Sequence, residues 1–309
     1  MAKFKSNLSS HFEMTDLGEL AWILGIRVKH DRISRTITLS QAAYIDSIVK
    51  RFNLSSASPL RTPIDPNAQL SKDQCPSTPQ QIDDMQKVPY REAIGSLMYA
   101  AIGTRLDITY AVTALSQYLQ DPGRAHWEQA KRVIRYLKGT RDLELKFGPS
   151  GGVEGFTDAS WGNDTDDRHL ICGYVFMLNE GVISWSSKKQ SVVALSSTEA
   201  KYIGITHAAK EATWIRHLLS ELYSPLILKY PITLYCDNKS AIELVKNATF
   251  HSRTKHIAIR YHFIREAYND GTVVLDHRRT DDMPADVFTK ALDRIKLNKF
   301  ARLVGLSQT

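Results

Sequence analysis

The stretch GYVFMLNEGVISWSSKKQSVVALSSTEAKY, residues 173–202, decides the fold of the second half of the chain. It holds the strand-like runs Cys172–Leu178 and Gly181–Ser186 and the start of a helix that extends from about Thr198 to Tyr223. Working outward, further apolar runs and helical patterns are recognisable at Val153–Asp158, Ile232–Cys236, Lys239–Lys246, Ile257–Tyr268, Thr272–His277 and Pro284–Leu292. The order of three strands, helix, strand, two helices, strand and helix predicts an α/β (α+β) fold, with helices on the faces of a mixed sheet.

The first half of the chain is predicted to be mostly helical. Strand-like runs cover Leu17–Lys29 and Ile33–Leu39, and Ser40 is expected to cap a helix over Gln41–Phe52. Ser55–Pro89 is interpreted as a linker or extended loop, because its prolines lack backbone donors and interrupt helices. Helical periodicity then covers Tyr90–Ile102, Ile108–Leu119 and Arg124–Lys138. The glycine-rich run at 147–152 marks a boundary, which predicts domains at 1–150 and 151–295 and a tail at 296–309.

Composition limits the class of protein. The 309 residues carry 40 Lys and Arg against 33 Asp and Glu, a net charge of +7, and 43% of them are hydrophobic. This excludes a wholly disordered chain and is compatible with a nucleic-acid partner, although a mild basic excess is weak evidence by itself. No apolar run is long enough to cross a membrane, and the amino terminus lacks the apolar core of a secretory signal. Three widely spaced cysteines are typical of reduced thiols, so we expect an intracellular protein that is not secreted.

Four carboxylates of the second half occupy special positions, and each has an ordinary explanation. Glu199 could complete a capping box with Ser196, and Asp237 could cap the following helix. Asp286 could complement the dipole of the last helix. Asp158, inside an apolar strand, is either buried and paired or functional.

The functional interpretation takes the four acids together. Strand ends and helix starts can project side chains into one cleft, and carboxylate oxygens are ligands that Mg²⁺ prefers. Two such ions about 4 Å apart can activate water and stabilise a leaving oxygen. Without a metal, two like charges about 4 Å apart cost roughly 4 kcal/mol at an effective dielectric of 20, which stability alone would not favour.

Motifs in order along the chain make the pattern specific. The second half resembles the ribonuclease H domain of copia-type LTR retrotransposon polyproteins over about residues 150–293, on the strength of FTDASWGND, the 173–202 stretch, LYCDNKSAIEL, KHIAIRYHFIRE and ADVFTKAL. The first half resembles the carboxyl-terminal half of the reverse transcriptase of that family, through FEMTDLGELAWILGIRV, ITLSQAAYIDSIVKRF and YREAIGSLMYAAIGTRLDITYAV. Leu106 and Ala258 depart from this pattern, since the family usually has Pro and Asp at these positions.

The resemblance implies a function. Asp158, Glu199, Asp237 and Asp286 match the acidic metal-binding set of the family, which implies two Mg²⁺ ions, for which Mn²⁺ can substitute. The implied reaction is hydrolysis of the RNA strand of an RNA–DNA hybrid, on a ribonuclease H-like mixed sheet of five strands. The alternative is a catalytically inactive or domesticated fragment that only binds nucleic acid.

The resemblance also implies a setting for the protein. The palm motif Tyr-x-Asp-Asp of the family does not precede Met1, so we expect a truncated reverse transcriptase without polymerase activity of its own. A palm-bearing reverse transcriptase chain is a candidate partner. The family setting implies a cytoplasmic virus-like particle or the nucleus.

Several basic and polar residues are candidates for contacts with the nucleic-acid backbone, each beside a structural alternative. Lys188 and Lys189 could touch phosphates or form a hairpin tip. Arg132 and Arg135 lie on one helical stripe with Lys138, which solvated helix faces also show. The remaining candidates are Asn238, Lys255 and His256.

Overall fold

The computed structural model describes residues 2–160, 166, 170–190, 192–194, 196–222, 230–247 and 258–308. Its elements in chain order are α1 (Ala2–His11), β1 (Trp22–Ile23), β2 (Ile26–Asp31), β3 (Thr36–Ser40), α2 (Ala42–Arg51), α3 (Pro79–Gln86), α4 (Tyr90–Gly103), α5 (Thr109–Ser116), α6 (Arg124–Gly139), β4 (Leu143–Phe147), β5 (Glu154–Ala159), β6 (Ile171–Leu178), β7 (Gly181–Lys189), α7 (Ser197–Leu222), β8 (Ile232–Cys236), α8 (Lys239–Lys246), α9 (Ala258–Asn269), β9 (Val273–His277), α10 (Arg294–Leu303) and β10 (Leu306–Gln308). Short 3₁₀ helices cover Lys72–Gln74, Leu106–Ile108, Thr280–Asp282 and Pro284–Phe288.

The second half forms a five-stranded mixed sheet in the order β7-β6-β5-β8-β9. β6 pairs antiparallel with both β5 and β7, whereas β8 pairs parallel with both β5 and β9. A parallel pair needs a crossover, and α7 supplies the one between the antiparallel hairpin and β8. The predicted ribonuclease H-like mixed sheet with flanking helices is therefore confirmed.

Both faces of this sheet are covered by apolar residues. On one face, Ile205, Ala209 and Ile215 of α7 pack with Leu234 of β8 and with residues of α8, α9 and β9 in one buried cluster. On the other face, residues such as Phe156 and Val175 share a larger cluster with the helices of the first half. Burial on both faces explains why these strands are nearly continuous apolar runs in the sequence.

The edge strand β7 is held by polar contacts with the first half. The indole nitrogen of Trp185 donates to the carbonyl of Ala101 at 3.1 Å, and the Thr113 hydroxyl donates to the carbonyl of Ser187 at 3.2 Å. Covering an edge in this way removes a template for unwanted strand pairing.

The carboxyl-terminal residues return to the first half. The other sheet has the order β1-β2-β3-β4-β10, and β10 pairs antiparallel with β4 through Leu306 and Leu145. Leu297 and Phe300 of α10 are buried in the cluster that contains both halves. The segment predicted as a tail thus forms a helix and a strand, and the predicted domain boundaries stay predictions.

Four local predictions differ from the structure. Leu17–Lys29 is not one strand, because Leu24 and Gly25 adopt positive φ and separate β1 from β2. Ser40 does not cap α2, whose N-cap is Gln41. The proline-rich stretch contains the helix α3. Thr78 is its N-cap and forms a reciprocal capping box with Gln81, and Pro79 occupies the first helical position. The last predicted helix is only the 3₁₀ helix Pro284–Phe288.

Among the described residues, none of the helices combines the length and the apolar character that crossing a lipid bilayer would need.

Candidate active site

Asp158 lies at the centre of the acidic site. Only 1% of its surface is exposed, and its two carboxylate oxygens accept hydrogen bonds from the Lys201 ammonium group and the Thr289 hydroxyl. The Lys290 ammonium nitrogen is 3.9 Å from Asp158 Oδ2. A carboxylate this deeply buried needs such partners, because an unpaired charge in the protein interior is strongly unfavourable. Asp158 is therefore buried and paired, which is one of the two alternatives that its sequence position left open.

Asp237 reaches the same place from the neighbouring strand. It directly follows β8, which runs parallel to β5 with Cys236 opposite Thr157, so Asp158 and Asp237 emerge at adjacent strand ends. Its Oδ1 is 2.7 Å from Lys201 Nζ, an ion pair without good hydrogen-bond alignment. Its Oδ2 accepts a hydrogen bond of 3.0 Å from the Thr280 hydroxyl.

The helix-cap explanation of Asp237 is wrong. The N-cap of α8 is Asn238, whose side-chain oxygen accepts from the backbone nitrogen of Ala241 at 2.8 Å. The Asp237 carboxylate therefore contacts Lys201 and Thr280 instead of capping the helix. Asn238, which was predicted as a nucleic-acid contact, is the helix cap.

Asp286 enters the site on the 3₁₀ helix Pro284–Phe288. This helix packs closely on β6 at Gly173, where a Cβ atom would lie 2.5 Å from the Cβ of Phe288, so a larger residue would push the helix away. Asp286 Oδ2 forms an ion pair of 2.9 Å with Lys290 Nζ. Its Oδ1 is buried and has no hydrogen-bond partner among the described residues. An unsatisfied buried oxygen of this kind indicates space for a further ligand.

Glu199 occupies the first turn of α7 and is 8% exposed. Its backbone nitrogen donates to the Ser196 hydroxyl at 3.1 Å, which is one half of the predicted capping box. The lysine contacts described above connect Asp158, Asp237 and Asp286, and they do not include Glu199. Within the described part of the chain, no three acidic, histidine or cysteine side chains form a ready-made metal-binding group.

Burial and the neighbouring charges shift the pKa values of the two most buried carboxyl groups of the site, Asp158 and Asp286, in opposite directions. Burial raises the pKa of Asp158, but the charges of Lys201 and Lys290 outweigh it, and the net result is a lowered pKa. Burial, together with the negative charge of Asp158, raises the pKa of Asp286 to about 6. Asp158 thus stays ionised at neutral pH, whereas Asp286 titrates in the weakly acidic range.

The raised pKa of Asp286 predicts a pH-dependent stability. Because the folded protein binds this proton more tightly than the unfolded chain, the stabilisation is complete below the unfolded pKa of about 3.9 and is lost as pH rises through about 6. In EDTA, the wild type should therefore lose roughly 2–3 kcal/mol of unfolding free energy relative to Asp286→Asn between about pH 4 and pH 7. Urea unfolding of both proteins across this range measures the difference, and parallel curves would contradict the assignment.

The donor set fits a hard divalent cation. It consists of carboxylate oxygens, one of them the buried Oδ1 of Asp286, which faces no hydrogen-bond donor of the described chain. The ammonium groups of Lys201 and Lys290 offset two of the three negative charges of Asp158, Asp237 and Asp286, which leaves a net negative charge for a cation. Asp158, Asp237 and Asp286 could hold a metal ion if Lys201 yields its place between the first two.

The basic stripe on α6 makes contacts within the chain that the sequence did not predict. Arg132 donates to the Thr62 hydroxyl at 2.9 Å, and Arg135 donates to the carbonyl of Ser58 at 2.7 Å. Lys138 donates to the carbonyls of Ser55 and Ala57. These hydrogen bonds hold the segment after α2 against α6. They also supply donors to backbone carbonyls that have no partner in a strand or helix. That Arg132 and Arg135 also contact a nucleic-acid backbone stays a prediction.

Lys188 and Lys189 lie at the far end of β7, so the hairpin-tip alternative is wrong. The turn between β6 and β7 is formed by Asn179 and Glu180, which both adopt positive φ. Lys189 donates to the side-chain oxygen of Gln117 at 2.7 Å and so belongs to the contact with the first half, whereas Lys188 is exposed. Lys255 and His256 lie outside the described residues.

Four partners of the acids were not foreseen from the sequence: Lys201, Thr280, Thr289 and Lys290. Lys290 follows Asp286 by four residues, a spacing at which opposite charges meet on a helical turn, so the sequence did contain a signal for it. Lys201 and Thr289 approach Asp158 only through the tertiary fold, and their positions in the sequence contain no such signal.

Comparison with known proteins places the chain in a family. The family described as "Reverse transcriptase (RNA-dependent DNA polymerase)" matches residues 1–66. The retrovirus-related Pol polyprotein from transposon TNT 1-94 of Nicotiana tabacum is 44% identical over 307 residues, which are 99% of this chain and 23% of that protein. A putative transposon Ty5-1 protein of Saccharomyces cerevisiae is 34% identical over 212 residues, or 68% of this chain and 67% of that protein.

Solved structures were compared as well. A ribonuclease H1 crystallised in complex with RNA/DNA hybrid is 11% identical, with a TM-score of 0.33, over 44% of this chain and 93% of that one.

The sheet order and helix placement define a protein with a ribonuclease H-like domain, preceded by a segment related to reverse transcriptases. The chain belongs to the copia-type retrotransposon Pol family. It spans about a fifth of the length of the Pol polyproteins that it matches.

Proposed function

We propose that the second half of the chain hydrolyses the RNA strand of RNA–DNA hybrids endonucleolytically, with two Mg²⁺ ions, for which Mn²⁺ can substitute. Asp158, Glu199, Asp237 and Asp286 are the proposed catalytic and metal-binding residues. The observation that carries the proposal is that Asp158 and Asp237, at the adjacent ends of β5 and β8, and Asp286, in the middle of the last 3₁₀ helix, share two cationic partners, Lys201 and Lys290. DNA synthesis is not part of the proposal.

The residues of the chain prepare this site before any cation binds. The ionised Asp158 is held in one orientation by the Thr289 hydroxyl, and Asp237 by the Thr280 hydroxyl. Fixed orientation matters because ligands that are already in place lose little freedom on binding. When bound, divalent ions supply an activated water and stabilise the leaving oxygen of the phosphodiester.

The proposed partner is an RNA–DNA hybrid, contacted through its phosphate backbone. Sequence-independent contacts of this kind are electrostatic, so binding should weaken as salt increases. Lys188 is exposed, and the structure therefore leaves it as a candidate contact. We place the activity in a cytoplasmic virus-like particle or in the nucleus, with a palm-bearing reverse transcriptase chain as a further candidate partner.

Cleavage of a labelled hybrid tests the proposal. The full chain should cut the RNA strand of a hybrid in millimolar Mg²⁺, leave double-stranded DNA intact, and lose the activity in EDTA. Absence of cleavage with both Mg²⁺ and Mn²⁺, from a protein that unfolds cooperatively, would contradict it.

A second function is favoured by one specific observation, that Lys201 occupies the place between Asp158 and Asp237. A permanent ammonium there would leave a protein that binds nucleic acid without cutting it. Retention of the hybrid in a gel-shift experiment, without cleavage at any Mg²⁺ or Mn²⁺ concentration, would identify this function.

A further inference from the structure

We propose that Lys201 is a built-in counter-cation, which holds Asp158 and Asp237 together in the metal-free protein and is displaced when a divalent ion binds. The inference rests on the proposed function, because it concerns the same carboxylates. It assigns Lys201 as a positioning residue of the site, which no resemblance to the family implied.

The contacts of Lys201 are those of a bridging cation. Its ammonium group contacts Asp158 Oδ1 and lies 2.7 Å from Asp237 Oδ1, so one charge serves carboxylates from two neighbouring strands. The side chains of Lys201 and Asp158 are 12% and 0% exposed, and solvent therefore screens the pair weakly. Two buried carboxylates at adjacent strand ends would repel each other without it.

The fold places Lys201 there through a close approach of α7 to the sheet. Gly204, one turn later on α7, lies against β5, where an added Cβ atom would come within 3.3 Å of the Thr157 hydroxyl oxygen. The helix can thus pack near enough for a lysine of its first turns to reach the end of β5. Lysine suits this role because its ammonium is a compact charge on a flexible stem, which can also turn away.

A divalent ion and the ammonium group cannot share this position. The Oδ2 atoms of Asp158 and Asp237 accept hydrogen bonds from Thr289 and Thr280, so a metal held by both carboxylates would compete with Lys201 for their Oδ1 atoms. A divalent ion and an ammonium group this close together would also repel each other. Lys290 does not face this conflict, since it pairs with Asp286 at 2.9 Å, is 30% exposed and lies 3.9 Å from Asp158. Metal binding therefore requires the release of Lys201 in particular.

Release of Lys201 makes metal binding weaker than the carboxylates alone would allow. Lys201→Met removes the competing charge and keeps a side chain of similar length. We expect it to bind Mn²⁺ about tenfold more tightly than the wild type in calorimetric titrations, within the range by which neighbours of metal ligands change affinity. Lys246→Met is the matched control, because Lys246 is an exposed lysine in the last turn of α8 and its loss changes the net charge equally.

Thermal unfolding gives a second readout of the same variant. In EDTA, Lys201→Met should melt at a lower temperature than the wild type, because Asp158 and Asp237 lose their shared cation. Saturating Mn²⁺ should raise its melting temperature by more than it raises that of the wild type. Equal or weaker Mn²⁺ binding by a folded Lys201→Met, with the control unchanged, would overturn the inference and leave the proposed function standing.

A measurement on the unmodified protein keeps the test independent of whether the variant folds. Labelling with an amine-reactive reagent, read by mass spectrometry, should modify Lys201 slowly in EDTA and faster with Mn²⁺, as the ammonium moves into solvent. Labelling of Lys201 that stays constant or falls on Mn²⁺ binding would overturn the inference. If Mn²⁺ binds neither the wild type nor Lys201→Met, the proposed function fails, and this inference with it.

Discussion

Replacement of Asp158 by Asn is expected to lower the rate of hybrid cleavage at saturating Mg²⁺ by at least about a hundredfold. The change keeps the shape of the side chain and removes the negative charge that a divalent cation would bind. Because Asp158 is buried and contacts Lys201, Thr289 and Lys290 at once, the substitution removes the carboxylate at the centre of the site. Quantitative cleavage of a labelled hybrid under single-turnover conditions measures the effect.

A matched control separates loss of the site from loss of the fold. Asp276 lies on β9 of the same sheet but is exposed, and its carboxylate accepts only from the backbone of the next residue in the described structure. Asp276→Asn should cleave at the wild-type rate. Activity of a folded Asp158→Asn above about a tenth of the wild-type value would show that this carboxylate is not a metal ligand.

Replacement of Asp107 by Asn is expected to cost about 3–5 kcal/mol of unfolding free energy, the largest stability effect that we predict. Arg105 and Asp107 form a completely buried ion pair, with the Nε–Oδ1 distance 3.0 Å and the Nη2–Oδ2 distance 2.6 Å. The Tyr136 hydroxyl also donates to Asp107 Oδ2 at 2.6 Å, and Arg105 donates to the carbonyl and hydroxyl of Thr140. Asn would leave the guanidinium charge buried without its counter-ion.

An exposed ion pair serves as the control for this substitution. Arg141 contacts both oxygens of Asp46, at 2.9 and 2.7 Å, in a bidentate pair similar in geometry to the buried one. Because the side chains of this pair are 41% and 54% exposed, Asp46→Asn should change stability far less. Urea unfolding of both variants gives the comparison, and a loss of less than about 1 kcal/mol for Asp107→Asn would contradict the structural role of the network.

Periodicity and apolar runs predicted the second sheet well, because the central strands β5 and β6 are buried on both faces and are bounded by turn residues. β8 and α8 occupy the predicted residues, β5 begins and ends one residue later than predicted, and β6 begins one residue earlier. The residues of these runs favour the strand conformation locally and are also buried in the folded protein, so local preference and tertiary packing predict the same structure. The helix after β8 also begins where its Asn cap requires.

Features that depend on tertiary partners could not be predicted. The stripe of Arg132, Arg135 and Lys138 has the spacing of a solvent-facing or ligand-facing surface. Only the folded chain brings the acceptors of these side chains to it, namely the carbonyls of Ser55, Ala57 and Ser58 and the hydroxyl of Thr62. The last predicted helix stops after Phe288, where the Thr289 side chain turns to Asp158, a contact across 131 residues. Residues 294–308 return to the first sheet through the same kind of distant contact.

The candidate site was likewise predictable in part, where it depends on local sequence and not on tertiary contacts. Asp158, Asp237 and Asp286 were predicted as members of one site from their places at strand ends and helix starts, and the structure joins them through shared lysines. Glu199 was predicted with them, and the catalytic and metal-binding roles of all four acids stay predictions. The sequence contained no signal that the charge between Asp158 and Asp237 is provided by the chain itself.

The most direct test of the central claim is to locate Mn²⁺ by anomalous scattering in crystals of the full chain. The account predicts a peak between the carboxylates of Asp158 and Asp237, with the Lys201 ammonium moved away from both. Crystals soaked at saturating Mn²⁺ that show no peak there, with Lys201 still bridging the two carboxylates, would contradict the proposal that these acids form a metal-dependent nuclease site.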